Sequence, residues 1–518
     1  MRGFQRGFAL RTLEIVPARP PAAKARISLV NCGKIGKIPY ERPPIGRASR
    51  DRGPEDASVE VTPETLRAQG SWSAVQTRFA EFFLSDPECH DESAFAALAE
   101  RDSFLRYDLQ RWLMFLGPAK NAELAKATTD VCRLVLEIPR RVFAADPGAL
   151  SEFYRIPPEV SPLITDLVIK TDCLTDLIAR ADLIWSADGL KVCEVNAAGN
   201  LGGWEVGGWH GRYRRVPPLA RFLDREADRV GLTDPLDESY AHFIAVARKR
   251  GLAESGELHL AMTSYEAVNS AFAAFIDQGY RAALAKHLPG VAGRFVLCRP
   301  EEVIHRGGRL EVGGLPVQLV LDASPEQFNR SVYTAMMDGN AFCWNGPLAT
   351  LLSQKTNLAL LSELEADGGL SPEDAETVRR HFPWTRRVVG DYTDYRGERE
   401  YLPDLMVEHR ESFVLKAGLS SSGLAVHLGR NMTPSAWQAL IDKALDEGEW
   451  IVQEFADSLP FLLGDAKGNP AWQDIVWGTF DYGGRYAGAF LRHKPCEQEG
   501  IINAAQGATI GVYYDATE

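Results

Sequence analysis

From residue 235 onward, short apolar runs of strand length alternate with longer stretches of helical spacing, and few folds accept that alternation. Leu258–Met262 and Phe295–Cys298 have strand character, a helix is expected over Tyr265–Ala285, and Leu310–Val312 and Val317–Leu321 suggest two more strands. A crossover helix returns the chain to the same end of a sheet and so favours parallel pairing; an α/β layer is expected over 235–345. The region 346–518 stays mixed. Leu348–Leu364 has helical spacing, and Ser371-Pro372-Glu373 opens another helix. Phe413–Lys416, Val426–Leu428 and Trp450–Phe455 read as strands around a helix over Thr433–Glu447, capped by Thr433 and stopped by Gly448. The tail, Ile475–Tyr514, is β-rich.

Upstream the pattern changes. Residues 61–170 are mainly helical: Thr62-Pro63-Glu64 starts a helix, and apolar residues recur at three- and four-residue steps. They run through Trp72, Val75, Phe79, Phe82 and Phe83, then through Leu105, Leu109, Trp112, Leu113 and Leu116. The segment 171–234 holds two strand-like runs, Ala181–Trp185 and Leu190–Val195, joined by Ser186-Ala187-Asp188-Gly189. Asp-Gly between apolar runs predicts a hairpin, since both residues tolerate positive φ. A glycine-rich aromatic loop, Gly199–Gly211, follows.

The 518 residues exceed one ordinary domain of ~100–200 residues. With 45% hydrophobic and 25% charged residues the chain is neither collagen-like, disordered nor a disulfide scaffold. No apolar run approaches the roughly 18 residues of a membrane span, so no membrane partner is expected. A net charge of -13 argues against nucleic acid, whose phosphates demand Lys and Arg. That average conceals a basic, Pro/Gly-rich arm over 1–60: residues 1–53 hold twelve Lys/Arg and three Asp/Glu, a charge of +9 against -22 for the rest. The arm fits a transit peptide, a loosely ordered leader or an over-extended start of the reading frame, and lacks the apolar core of a secretory signal. Its Gly33-Lys34-Ile35-Gly36-Lys37 fails as a phosphate loop, having too few residues between its glycines and Ile38 where Ser or Thr must hold magnesium. The eight cysteines stand singly without zinc spacing and are expected as small core hydrophobes in a reducing, cytoplasmic compartment.

Three clusters have chemical potential. Asp182, Glu194 and Asn196 place hard oxygen donors on the expected hairpin, with Arg180 beside them. Glu194 and Asn196 are two apart and leave the same face of one strand. Three such oxygens suit Mg²⁺, which completes its octahedron with phosphate and water; a solvated hairpin face with an Asp–Arg pair fits the same spacing. Lys416-Ala417-Gly418-Leu419-Ser420-Ser421-Ser422-Gly423 ends a strand in a small-residue loop whose backbone N–H groups can wrap an anion beside a lysine charge. A hairpin tip or a lid has the same composition. In Trp450–Phe455, backbone amides could read an adenine edge and Glu454 could accept from a ribose hydroxyl; an interior strand reaching solvent at Glu454 fits as well.

Their order resembles the nucleotide-binding half of ATP-grasp enzymes. Lys355, in Asn345-Gly346-Pro347…Gln354-Lys355-Thr356-Asn357, looks like the family's Asn-Pro…Lys segment. Most ATP-grasp chains carry Glu-Xaa-Asn after these parts; here Glu194-Val195-Asn196 precedes them. That order is similar to the circularly permuted group typified by glutathionylspermidine synthetase. In that group Arg-Xaa-Asp is followed, twelve residues beyond the Asp, by Glu-Xaa-Asn, as Arg180-Ala181-Asp182 and Glu194-Val195-Asn196 stand here. The likeness touches roughly residues 170–510.

The resemblance implies an ATP-grasp fold of α/β (α+β) class, circularly permuted, with an N-terminal helical region and an inserted α/β subdomain. It implies ATP and Mg²⁺ as cofactors. Lys355 and Lys416 would hold the α- and β-phosphates, the amides of Ser421, Ser422 and Gly423 would lie over the γ-phosphate, and Gln453 and Glu454 would hold the nucleoside. Asp182, Glu194 and Asn196 would bind the metal, and Arg180 and Arg492 would act at the reacting group. Asn503 falls near Arg492 in the family's order, and His493 is either a base for an amine or a surface histidine. The Ser-rich loop departs from the paired glycines of many relatives. The implied activity is an ATP-dependent carboxylate–amine ligase working through an acyl phosphate on small-molecule or peptide substrates. A kinase-like phosphotransferase and a nucleotide-binding regulatory protein without turnover are the alternatives. The N-terminal region has no thiol-protease signature, so only a synthetase half is expected and glutathionylspermidine is not the expected product. Trp204, Trp209, His210 and Arg212 are expected to frame the substrate pocket, with the core as the alternative place for both tryptophans.

Overall fold

The computed structural model describes residues 62, 65, 70–100, 107–144, 146–170, 172–199, 201–265, 270–323, 329–419, 425–465 and 467–518. The basic arm and its pseudo-phosphate loop lie outside the described residues. So does most of the first expected helix, although Thr62 Oγ1 does accept from the Thr65 amide at 3.2 Å in the manner of a cap.

An eight-stranded sheet receives strands from both ends of the described chain. Its main order is Met114–Leu116, Thr509–Ala516, Tyr486–Pro495, Pro470–Tyr482, Ile178–Ser186, Gly189–Asn196. Phe461–Gly464 and Val230–Gly231 add on beside this path. Met114–Leu116 corrects the helical reading of Leu109–Leu116: it is a strand, parallel to Thr509–Ala516. Trp112 through Leu116 are all fully buried, and an apolar run with no polar face suits an interior strand better than an amphipathic helix. The helical reading holds on either side, in Ala74–Ser85 and in the long Pro118–Phe143. Cys132 of the long helix lies by Ala181 and Asp481, so this helix covers the Ala181 face of the sheet. Arg180 and Asp182, one step either way along the strand, leave the other face.

The expected hairpin is Ile178–Ser186 paired antiparallel with Gly189–Asn196. Only Gly189 of its turn has a positive φ, 91°, so Asp188 does not use the freedom expected of it. The glycine-rich loop is shorter than expected, because Val206–Tyr213 is helical despite three glycines. A side chain at Gly207 would collide with the Asp234 carboxylate.

Residues 235–345 build the expected parallel sheet, in the order Phe342–Trp344, Leu319–Asp322, Leu260–Thr263, Phe295–Cys298. The single strand expected over Val317–Leu321 divides: Leu315–Val317 joins an antiparallel three-stranded sheet, and Leu319–Asp322 joins the parallel one. Farther on, Thr385–Arg387, Trp450–Glu454, Phe413–Ala417 and Val426–Leu428 form an antiparallel four-stranded sheet. The helix Pro434–Glu447 packs on it through Trp437 and Ile441, with Thr433 Oγ1 capping the Ala436 amide at 3.3 Å and Gly448 at φ 68° closing it. The helix expected over Leu348–Leu364 breaks into Ala349–Leu352 and Thr356–Ala366, because the Lys355 amide donates to Gly418 O at 2.9 Å instead of continuing the helix. The class is mixed α/β with parallel and antiparallel sheets. Among the described residues no helix is long and apolar enough to cross a membrane, and Cys89, Cys132, Cys193, Cys298, Cys343 and Cys496 are free thiols.

Candidate active site

The hairpin ladder sets Asp182 directly opposite Glu194 and Arg180 opposite Asn196. The next pair is Leu183 with Val192, which leaves Cys193 as the extra residue of a β-bulge. A bulge frees backbone groups from the ladder, and the Cys193 carbonyl accepts from Lys416 Nζ at 2.8 Å. Cys193 thus stands in the site, where the lone-cysteine pattern pointed only to core. Burial pushes its thiol up to about 11, so it is neutral there.

Asp182 is gripped by two guanidiniums. Arg180, two residues before it on the same strand, donates from Nε to Oδ1 at 2.9 Å and from Nη2 to Oδ2 at 3.2 Å. Arg492 Nη2 approaches Oδ2 to 2.8 Å from Tyr486–Pro495, two strands away. Burial alone would raise the Asp182 carboxyl, but Arg180 and Arg492 outweigh it and hold the group well below the ordinary carboxylate range. Arg492 Nε is buried without a hydrogen-bond partner among the described residues.

Both expected lysines arrive from the other half. Lys416 Nζ, besides its bond to the bulge, donates to Gln453 Oε1 at 2.6 Å, and burial lowers its ammonium. Lys355 Nζ lies 3.3 Å from Glu194 Oε2. Asn345, the first residue of its motif, is a clamp: its Oδ1 accepts from the Ile178 amide at 3.1 Å, and its Nδ2 donates to the carbonyls of Ile178 and Ala197. This fixes the start of one hairpin strand and the exit of the other.

The remaining expected residues divide. Gln453 is committed to Lys416 and, through Nε2 at 3.2 Å, to Thr385 Oγ1, so its side chain positions the lysine. The amides of Glu454 and Phe455 donate to Trp384 O and Ser412 O and are not available to an adenine. The Glu454 carboxylate stands at the mouth, held by Tyr395 Oη at 3.2 Å and Arg396 Nη2 at 2.6 Å. Ser421, Ser422 and Gly423 lie outside the described residues. Asn503 caps the turn Ala504–Gln506, with Oδ1 accepting from the Ala505 amide at 2.8 Å. His493 is no surface histidine: it is buried, bound through Nδ1 to Gln473 Oε1 at 2.9 Å, and burial lowers it to about 3. As the neighbour of Arg492 in a strand it faces away from Asp182. Of the four residues expected around a pocket, Trp209 is buried on Phe490, Arg212 donates to the carbonyls of Ala97 and Glu100, and His210 meets Tyr514 Oη at 2.8 Å. Trp204 lines an apolar cavity.

The site is strongly cationic. Asp182 is 3% exposed and Arg180, Lys355, Lys416 and Arg492 between 5% and 8%. Four positive charges thus face the two carboxylates of Asp182 and Glu194. Asp182 Oδ1 receives one hydrogen bond and so does Glu194 Oε1, from Asn196 Nδ2 at 3.3 Å. Each oxygen keeps a lone pair, and with the Asn196 amide oxygen they are hard donors of the kind that Mg²⁺ takes.

No family model and no curated protein matches the chain. Among solved structures it is similar to a glutathione synthetase-like effector from Globodera pallida in its apo form, at 13% identity and a TM-score of 0.49, over 88% of this chain and 98% of that one. A likeness of that size assigns neither family nor activity, and the chemistry of the site rests on its own geometry.

Proposed function

We propose that this chain is an ATP-dependent carboxylate–amine ligase of circularly permuted ATP-grasp architecture, acting in the cytoplasm on a small-molecule or peptide acid and an amine. One observation carries the reading: four buried cations from distant stretches of chain surround two carboxylates. Buried charge in excess of its partners is expensive unless a counter-ion joins it, and a polyphosphate answers the lysines while its metal answers the oxygens. When bound, Mg²⁺ neutralises charge on the transferred phosphoryl group.

In this reading Lys355 and Lys416 hold the α- and β-phosphates, with Gln453 and the Cys193 carbonyl aiming Lys416. Ser421, Ser422 and Gly423 cover the γ-phosphate, and Glu454 takes a ribose hydroxyl once Arg396 gives way. The substrate carboxylate attacks the γ-phosphorus, forming an acyl phosphate and releasing ADP. Arg180 and Arg492 steady the new phosphate. The amine nitrogen then attacks the acyl carbon, phosphate departs, and the nitrogen gives up a proton to leave an amide. Positioning and charge stabilisation supply most of the acceleration. His493, neutral and turned away, holds no proton for this step.

The grip of two arginines on Asp182 favours a second reading, a nucleotide-binding regulatory protein without turnover, because so engaged a carboxylate is slow to accept a metal. Phosphate release from Mg-ATP over a panel of amino acids and peptides separates the readings. The ligase releases phosphate only when acid and amine are both present. Nucleotide binding with no release under any pair would overturn it in favour of the regulator, and a phosphorylated acid released into solution over many turnovers without amine would point to a kinase.

A further inference from the structure

Between the main sheet and the parallel four-stranded sheet lies an apolar cavity of about 50 Å³, lined by Ile178 two residues before Arg180. Ile178 and Tyr482 close it from the main sheet, Leu260, Met262 and Leu321 from the parallel one, and the helices Pro235–Lys249 and Ser270–His287 complete it. Its few polar groups are spent locally: Tyr240 Oη donates to Ile276 O at 3.2 Å and Ser239 Oγ to Leu236 O at 2.7 Å. Trp204, Met262, Phe272 and Leu321 are only half-buried, so the cavity meets solvent along that edge.

Two further features mark it as a ligand site. Leu260–Thr263 and Leu319–Asp322 are adjacent and parallel, and the chain leaves them in opposite directions, to Phe295–Cys298 and to Phe342–Trp344. The carboxyl ends of two such strands form a topological switch point, where open α/β sheets bind ligands; the cavity lies along the sheet face beneath it, reaching from Met262 and Leu321 to Leu260 and Phe295 at the amino ends. Gly199, at the cavity wall, donates its amide to Asp322 O at 3.1 Å, and a Cβ there would strike that carbonyl at 2.2 Å. The same loop then reaches the reacting group, because Gly202 O accepts from Arg180 Nη1 at 3.2 Å. Ile178 lies two residues before Arg180, on the same face of the strand.

We propose that this cavity is the side-group pocket of the acid substrate, and that it takes a carboxylic acid bearing a small aliphatic group, with the carboxylate at Arg180. An apolar cavity of about 150 Å³ takes benzene, so one of about 50 Å³ is sized for an aliphatic group smaller than an aromatic ring. The ligase reading says what happens to the bound acid; the pocket's selectivity stands apart from it.

Titration calorimetry of the full chain, with and without Mg²⁺ and a non-hydrolysable ATP analogue, tests this with acetate, butyrate, 4-methylpentanoate and glutarate. Affinity should rise about fourfold per added methylene up to 4-methylpentanoate. Glutarate, which carries a second charge into an apolar wall, should bind at least about tenfold more weakly than 4-methylpentanoate. Met262→Trp should fill the cavity and abolish the gain over acetate. Trp204→Ala, on the half-buried edge, should shift the preference to 3-phenylpropanoate, which keeps the test decisive should Met262→Trp fail to fold. Equal or tighter glutarate binding, no trend with chain length, or a series unchanged in Trp204→Ala would overturn the proposal. If the trend holds and the ATP analogue does not bind, the ligase reading falls and the pocket stands; if the analogue binds without a trend, the pocket falls alone.

Discussion

At the scale of single residues, the site is a contest for two carboxylates. Arg180 and Arg492 occupy Asp182, while Lys355 and Asn196 share Glu194. Glu194→Gln keeps the volume and the Asn196 contact but removes a charge that a metal needs. Turnover should fall by about 100-fold or more with the fold intact by circular dichroism, a loss of the size seen when one charge-stabilising group is deleted. In the proposed ligase Lys416→Met would take a cation from the nucleotide, and it removes the donor to the Cys193 carbonyl and Gln453 Oε1. Nucleotide affinity should weaken about 10- to 100-fold, the worth of one charged hydrogen bond, as read by calorimetry. The hairpin was legible in the chain from its Asp-Gly turn, but the register that the turn sets, Ser186 against Gly189, would pair Asp182 with Cys193, and the bulge moves the partner to Glu194. Arg492 against Asp182 is set by no turn. It depends on which strand lies between them, and the strand order of a sheet is not written in local spacing.

Elements carry the next level of the argument. The bulge at Cys193 is silent in the sequence, since an alternating pattern reads the same with one residue slipped, yet it frees the carbonyl that aims Lys416. The capped helix Pro434–Glu447 was readable because Thr433 and Gly448 act locally. The strand Met114–Leu116 was misread because its apolar spacing suits a helix until its burial on every side is known. Gly418 joins two elements: its amide donates to Glu449 O at 2.6 Å and its carbonyl accepts from Lys355. A Cβ there would lie 2.7 Å from the Glu449 oxygen, so Gly418→Ala should lower stability by about 1–3 kcal/mol and displace Lys355, measurable as a fall in Tm with weaker nucleotide binding. The strand Pro470–Tyr482 holds a different device. Asp481 is buried, its Oδ1 accepting from the Gly484 amide at 3.0 Å and its Oδ2 without a hydrogen-bond partner among the described residues. Burial raises its carboxyl to about 7. An acid raised on folding binds its proton more tightly in the native state, so stability should fall as pH climbs from about 4 to 7, by a few kcal/mol, and level off above. Asp481→Asn should therefore melt above the parent at pH 8.5, with the difference shrinking as pH falls and vanishing near pH 4, and an equal difference at every pH would dismiss the buried proton.

At the scale of the whole molecule the site joins distant stretches of chain, the hairpin and Arg492 on one side and Lys355 and Lys416 on the other. Mg²⁺ with a non-hydrolysable ATP analogue at 100 times its Kd should add about 2.7 kcal/mol of stability, seen as a rise in Tm that a chelator largely removes. An unaltered melting curve at saturating nucleotide would mean that these stretches meet around something else.

The parallel pairing of Met114–Leu116 with Thr509–Ala516 reaches beyond the finished structure to its making. An edge of the main sheet cannot close until Thr509–Ala516 have left the ribosome, so the face of Phe115 that stacks on Tyr514 waits for a segment made about 400 residues later. Contacts of such long range are slow to form and vulnerable to aggregation in the interval. Chains stopped just short of Thr509 should reach the soluble fraction poorly, although they retain every lysine and acid of the site, and co-expressed chaperones should rescue the full chain more than the shortened one.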